Sequence, residues 1–591
     1  MTDELEGPVT ERRRRFEWMA IGTAVAMAYA CGIWGLSLYY EQTLPPDQLP
    51  SVIDLTYYAT RLFIFEWDVP EGVRISVPLQ LARWLAPASL ALATVKLIAA
   101  AFRDEAQVLL CSVRGNHAVV CGLGRKGLSL VKDLKAQGIQ VVAIEKDGEN
   151  PNIEAVRSQS IPVLKGNAAD RGFLAWAGVA GAPYLFAVTG DDEVNLQIAA
   201  RASELRRGRF PRRATDLRCA IHVEDPHTAD LFADAPLVSA EGHDFGAHLF
   251  SIYRFGARVL LEEHPPDLRE LHEKDAPPVC ITIFGEGQLA HELVLQLARI
   301  GHYGSRARPI VRVICTEGSD SLASLEARRT VLEELIDLRI DTADMEEVLS
   351  GDDVLEDLFD QNQAGQVYIC LPNLAQALRL GAALNRVGEE RVLVCTSSKS
   401  TLAGLVSSLT GAKGNGLETF DVTANTCTFD NIMRNGLDAQ ARKIHELYCA
   451  SQEELGETSA TNSTLVDWHL LPETFKESNR SQADHLSVKL RAVGRDHDAS
   501  RQLDDLELSD DEVTLLAELE HRRWYAEKRL AGWRHAPGPK DPKRRLSPSI
   551  VVGWTELSEA EKDKDRDAAR NLSKVLKAAL GQGPNGPTSE G

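Results

Sequence analysis

Residues 121–147 read CGLGRKGLSLVKDLKAQGIQVVAIEKD. The stretch holds the end of an apolar strand, a glycine turn, an amphipathic helix and a second apolar strand closed by acids. Gly122, Gly124 and Gly127 have the spacing GxGxxG between strand and helix, the setting in which that motif carries meaning. Gly122 permits a tight turn, Gly124 lets the backbone approach a pyrophosphate, and Gly127 lets helix and strand pack closely. Phosphates then sit on the helix N-terminus beside Arg125, where free N–H groups and the helix dipole favour anions. Glu145, followed by Lys146, ends the second strand and is placed to accept ribose hydroxyls. An acid there disfavours a 2′-phosphate, so NAD(H) or an adenine nucleotide is expected rather than NADP(H). Whether such a nucleotide is a reactant or a signal depends on the rest of the chain.

Outward from this stretch, short apolar strands alternate with amphipathic helices, as in a parallel sheet. HAVVCGLG opens the unit from His117, and YLFAVTGDD and LRCAIHVED supply later strands, so a Rossmann-like unit is expected over 113–225. The order recurs from Val279. VCITIFGEGQLAHELVLQLARIG repeats the strand, turn and helix, and RVLVCTSS is a last strand, giving a second unit over 276–400. Its turn keeps Gly285, Gly287 and Ala290, but GHYGSRARP lengthens the next connection and leaves Glu317 farther along than Glu145 is in the first unit. DFGAHLFSIYRFGARVLLEEH, within 226–275, reads as a helix connecting the units. A linking region follows over 401–500, then a compact segment over 505–580 and a disordered tail over 581–591.

At 591 residues the chain is too long for one core. Its net charge of −21 argues against nucleic-acid binding, which needs a basic face. Ten cysteines, without a CxxC, read as small buried hydrophobes in a reducing compartment rather than zinc ligands or disulfides. Residues 1–15 form a basic N-terminus, and two segments, 16–40 and 78–102, are apolar enough to cross a bilayer. Arg12 to Arg15 precede the first, whereas the intervening loop 41–77 is mostly acidic. The positive-inside rule therefore puts both termini in the cytoplasm, across a bacterial-type inner membrane.

The glycine turn, the strand ending at Glu145, GNAAD with Asp170, and VTGDDEVN with Thr189 and Asn195 together resemble the RCK (regulator of K⁺ conductance, TrkA-N type) domains. The resemblance implies that the nucleotide is a ligand that shifts conformation, and residues for acid–base catalysis are not apparent, so no enzyme activity is expected. Two membrane helices followed by two such units also resemble the two-transmembrane potassium-channel plan. That resemblance implies a homo-oligomer, with a tetramer favoured, moving cations through the lipid bilayer. The family's TVGYG-like filter is missing. In its place stands SVIDLTYYATRLFIFEWDVPEG, either a short re-entrant helix with Glu66 and Asp68 as an acidic mouth or an interfacial helix with aromatic anchors.

The segment 505–580 resembles the RyR (ryanodine receptor repeat) domain, on Glu518, His521 and Trp524 of one helix, Gly532-Trp533, Asp541, Pro548 and SEAEKDKDR. His521 and Trp524 share a helix face, and with Trp533 and Arg522 they are either a platform for a ligand ring and its phosphates or core and solvated surface. The expected fold is thus a two-helix membrane segment plus α/β, with two tandem Rossmann-like units and a small, mostly α C-terminal domain. The expected function is a ligand-gated cation channel, potassium being one candidate ion, whose cytoplasmic RCK-like ring senses a nucleotide and whose RyR-like domain senses a second ligand or partner. The alternatives are a membrane-anchored nucleotide sensor of stress or defence without selective conduction, and an NAD-dependent enzyme.

Overall fold

Near the N-terminus the apolar composition dictates long helices. The computed structural model describes residues 6–66, 75–207, 216–232, 235, 245–268, 277–304, 307–316, 320–344, 348–349, 365–386, 391–396, 417–433, 436–495, 508–551 and 553–571. Helices Glu6–Thr43 and Val77–Ala101 contain the segments Trp18–Thr43 and Val77–Ile98, each long and apolar enough to cross a membrane. The first helix is described from Glu6, so Arg12 to Arg15 lie within it rather than in a separate segment. The two helices cross at Gly35, where a Cβ would lie 2.5 Å from the Leu79 nitrogen. Between them, Ser51 and Asp54 form a reciprocal cap on helix Val52–Arg61. Leu55, Ala59 and Leu62 of that region are buried in the same cluster as Ala28 and Leu36 of the first helix.

The second long helix is continued beyond its apolar stretch. Phe102 donates to the Ile98 carbonyl and Ala106 donates to the Phe102 carbonyl, so the backbone runs on into helix Arg103–Arg114. That helix ends on Gly115 at φ +68, a left-handed conformation that favours glycine.

The first α/β unit follows at once. Its strands are β1 (His117–Cys121), β2 (Gln140–Glu145), β3 (Val163–Lys165), β4 (Tyr184–Ala187), β5 (Leu217–His222) and β6 (Phe245–Phe250). They pair in parallel in the order β3-β2-β1-β4-β5-β6. The second unit has β7 (Cys280–Phe284), β8 (Ile310–Cys315), β9 (Asp337–Thr342), β10 (Gln366–Ile369), β11 (Val392–Thr396) and β12 (Glu418–Asp421). Its order, β12-β11-β10-β7-β8-β9, places corresponding strands in the same sequence, and every pairing is again parallel. The two units are therefore Rossmann-like repeats with crevices where the strand order reverses.

Two boundaries differ from the sequence reading. The segment expected as one connecting helix contains β6, and only then helix Ile252–Glu263, capped by Ser251. The first unit thus extends past Asp225. The second unit likewise runs beyond residue 400, because β12 completes its sheet.

Each unit lends a helix to the other. Ala257, Leu260 and Leu261 of helix Ile252–Glu263 belong to the core of the second unit. In return Phe429, Ile432 and Met433, which follow β12, close one face of the first sheet. The Phe429 ring meets Tyr184 edge-on at 4.9 Å, a contact worth about 1 kcal/mol beyond burial. Its N–H donates to Asp133 at 2.6 Å. Helices Ala439–Glu454, Glu473–Asp484 and Leu486–Ala492 fill the linking region, and helix Asp510–Leu530 packs against the second unit.

Candidate functional site

Local sterics make the turn after β1. Gly122 sits at φ +96, and a Cβ there would meet the Thr189 backbone at 3.1 Å. Its N–H donates to the Ile144 carbonyl, which carries the β1–β2 ladder into the turn. At Gly127 a Cβ would lie 1.9 Å from the Gly122 carbonyl oxygen, so a side chain is excluded. A Cβ added at Gly124 would meet nothing within 4 Å. Gly124 is the N-cap of helix Arg125–Ala136 and offers no side-chain cap, which leaves the first-turn N–H groups to face the crevice.

Glu145 ends β2 as the spacing predicts, and its carboxylate is already engaged. One oxygen accepts the Leu123 N–H at 2.6 Å and the Asn150 amide at 3.1 Å, and the other accepts the Asp147 N–H at 2.9 Å. Asn152 donates to the Leu123 carbonyl at 2.8 Å. Glu145 is therefore first a brace for the glycine turn, buried to 8% exposure.

Thr189 and Asn195 brace the opposite wall. Asn195 Oδ1 accepts from the Thr189 N–H and hydroxyl at 2.9 and 2.8 Å, and its amide donates to the His222 carbonyl at 2.9 Å. Arg125 and Lys146 are exposed, whereas Asp170 caps its own helix by accepting the Gly172 N–H at 2.7 Å. The structure thus gathers Gly122, Gly124, Gly127, Glu145, Thr189 and Asn195 around the carboxyl ends of β1, β2 and β4. Asp170 lies after β3, on helix Arg171–Trp176.

Sequence reasoning missed Lys126, His222 and Glu224. Lys126 Nζ lies 3.3 Å from His222 Nδ1 and 4.0 Å from Glu224. Burial pushes the Lys126 pKa down, against the pull of Glu224. Burial and the Lys126 charge push His222 down to about 3, so its imidazole is neutral. The one signal available was HVED at the end of a strand, whose role depends on what faces it.

The second unit builds the same turn. Gly285 sits at φ +144 with a Cβ position 2.6 Å from the Cys370 carbonyl oxygen, and Gly287 is the open N-cap. The Gly285 N–H donates to the Ile314 carbonyl, as Gly122 does to Ile144. Glu317 lies outside the described residues.

Between the two long apolar helices, Glu66 pairs with Arg61 at 3.4 Å on exposed side chains. The expected partner in an acidic mouth, Asp68, lies outside the described residues.

In the C-terminal domain His521 and Trp524 lie together on one helix face. His521 is buried, with Nε2 3.0 Å from the Val551 carbonyl and its ring stacked on Trp524 at 6.2 Å. Trp524 and Trp533 pack on the second unit's core, Lys540 lies 5.2 Å over the Trp533 ring, and Arg522 pairs with Glu518 at 3.4 Å. Beneath them Arg523, with no exposure, binds Glu520 and Glu527, and Glu520 also holds Lys489. Burial and the nearby Glu520 push the Asp565 carboxyl up to about 7. Its proton is thus held in the folded state and lost in the unfolded chain above about pH 4. The destabilisation is absent below that pH and complete above about 7. Asp565→Asn is expected to raise the melting temperature by about 3 °C at pH 8 and to leave it unchanged at pH 4, a pair of scans that reads the sign directly.

Two parallel sheets in one strand order, each with a glycine turn at its reversal point, define a tandem Rossmann-like α/β protein with two helices long enough to cross a membrane. Residues 118–236, which cover most of the first unit, match the TrkA-N domain. A protein of Methanothermus fervidus to which no function is assigned is 36% identical over 90 residues, which span 15% of this chain and 14% of that relative's length. Among solved structures, the GsuK channel bound to NAD aligns with a TM-score of 0.40 at 12% identity, covering 72% of this chain and 83% of that one. GsuK bound to ADP aligns with a TM-score of 0.38 at 12% identity, covering 72% of this chain and 99% of that one.

Proposed function

We propose that the chain is a membrane protein in which a regulatory nucleotide, NAD(H) or an adenine nucleotide, binds the first crevice and biases a cation pathway formed by the two long helices of several copies. The bilayer is that of a bacterial-type inner membrane, the termini and both α/β units are cytoplasmic, and a tetramer is the favoured assembly. The observation that carries the reading is the seat of helix Arg103–Arg114. It continues the backbone of helix Val77–Ala101 and is rooted in the first unit: Val108 belongs to the core that holds Val119 and Val142, and Asp104 pairs with Arg157 at 2.5 Å. A change in that unit therefore has a short, stiff path to the membrane helix. The nucleotide can shift the assembly only by as much as its affinities for the two states differ.

A second reading keeps the membrane anchor and the sensor without selective conduction. It is favoured by the loop between the helices, where a capped amphipathic helix stands in place of a TVGYG-like filter. The C-terminal domain would then recognise a second ligand or partner. In neither reading is the chain an enzyme.

The test is ion flux from liposomes carrying the purified protein, under K⁺ or Na⁺ gradients, with NAD⁺, NADH, ATP or ADP added. Flux that depends on nucleotide is the expected result. Protein that binds nucleotide and passes no ions moves the assignment to the second reading.

A further inference from the structure

Lys126 is the second residue of the helix after the glycine turn, and its side chain turns back toward the end of β5. The pair it makes with Glu224 is long, at 4.0 Å, and the carboxylate side chain is 41% exposed. The neutral imidazole of His222 accepts from Lys126 without supplying a counter-charge. The backbone at residue 224 is fixed: Asp192 accepts the N–H of Glu224 at 2.9 Å and that of Asp225 at 2.9 Å. Only the Glu224 side chain is therefore free to relocate. Beside it lies a cavity of about 100 Å³, lined also by Phe250, Arg254, Glu292 and Arg480. Arg254 pairs with Glu477, which also meets Arg299 of the second unit and Arg480.

We propose that Glu224 is an autoinhibitory contact of the nucleotide site: it holds Lys126 until a nucleotide phosphate takes the ammonium, and then turns into the cavity toward Arg254, loosening the hold of Arg254 on Glu477. The proposal rests on the reading of the first unit as a nucleotide site and specifies a ligand with a phosphate group. A long, part-exposed ion pair is weak and easily exchanged. A phosphate brings more charge, several acceptor oxygens and the favourable end of helix Arg125–Ala136. The displaced carboxylate would connect the crevice of the first unit to helix Glu473–Asp484, which contacts the second unit through Gln296 and Asp484.

Calorimetric titration of ADP into the full-length protein in detergent micelles, paired with hydrogen exchange along residues 473–484, tests this. Glu224→Gln is expected to tighten ADP about fivefold, because the competitor is gone. Lys126→Met weakens ADP at least tenfold, and adding Glu224→Gln to it brings no further gain. ADP changes exchange along residues 473–484 in the parent, and that response disappears in Glu224→Gln. Parent protein that binds ADP while Glu224→Gln binds no tighter, gains as much without Lys126, or keeps the response overturns the contact. An absence of ADP binding in both the parent and Glu224→Gln overturns the nucleotide reading itself.

Discussion

Gly124→Asp is expected to weaken ADP binding at least a hundredfold while leaving the melting temperature equal to or slightly above that of the parent. The position decides both halves. Gly124 has φ −66° and ψ −169°, extended backbone open to any residue, and a Cβ there meets nothing within 4 Å. It is also the N-cap of helix Arg125–Ala136, and a cap aspartate accepts first-turn N–H groups, worth about 1 kcal/mol of stability. Those are the donors a pyrophosphate needs, and the added charge repels it. A hundredfold loss corresponds to about 2.7 kcal/mol. Gly127→Val is the contrast, since its Cβ would sit 1.9 Å from the Gly122 carbonyl oxygen and the turn must break. Its loss of binding comes with a destabilisation of roughly 3 kcal/mol or more. Unchanged ADP affinity in Gly124→Asp would remove the crevice from consideration as the nucleotide site.

That contrast between two glycines of one motif also marks how far the sequence could be read. Spacing placed the turn, the helix and the strand ending at Glu145, because a chain of period-2 and period-3.6 segments with a glycine between them has few other ways to fold. It did not show that the Glu145 carboxylate is spent on the Leu123 N–H, since that bond depends on Asn150 and Asn152 closing the loop. β6 was hidden because Phe245–Phe250 is an edge strand with a mixed, half-buried pattern, joined by a single capping serine to a strongly amphipathic helix. Lys126 was legible as a charge and not as a site residue, since its partner His222 lies 96 positions away. His521 and Trp524 share a helix face as expected, and the periodicity of helix Asp510–Leu530 cannot tell whether water, ligand or a neighbouring domain covers that face. Here buried His521 packs with Trp524 and Trp554, and Trp524 lies against the second unit.

The largest stability effect is expected at Arg258, on the helix that the first unit lends to the second. Its guanidinium, 7% exposed, donates to Asp484 at 2.8 Å, to Asp438 at 2.9 Å and to the Leu437 carbonyl at 3.0 Å. Asp484 in turn accepts from Gln296 of the second unit, and Asp438 is shared with Arg480. Truncation to alanine leaves two buried carboxylates short of charge, a loss of roughly 3–5 kcal/mol. Arg258→Ala is therefore expected to lower the first unfolding transition by about 10 °C at pH 7.5. The pH dependence has a definite sign. Burial would raise the Asp438 pKa, yet Arg480 and Arg258 outweigh it and hold the carboxyl at about 2. A carboxyl depressed in the folded state contributes stability above its ordinary value near 4 and loses it as pH falls toward 2. Asp484 goes the other way, its pKa raised by burial against Arg258, so without that arginine it takes up a proton more readily. The gap between parent and Arg258→Ala should accordingly narrow as pH falls from 7.5 to 4.5, because protonation relieves the stranded charge in the variant first. Arg258→Lys, which keeps the charge but not the fork, should fall between the two. A gap below about 2 °C at pH 7.5, or one that widens on acidification, would show that the clasp between the units depends on apolar packing around Ala257, Leu260 and Leu261 rather than on these ions.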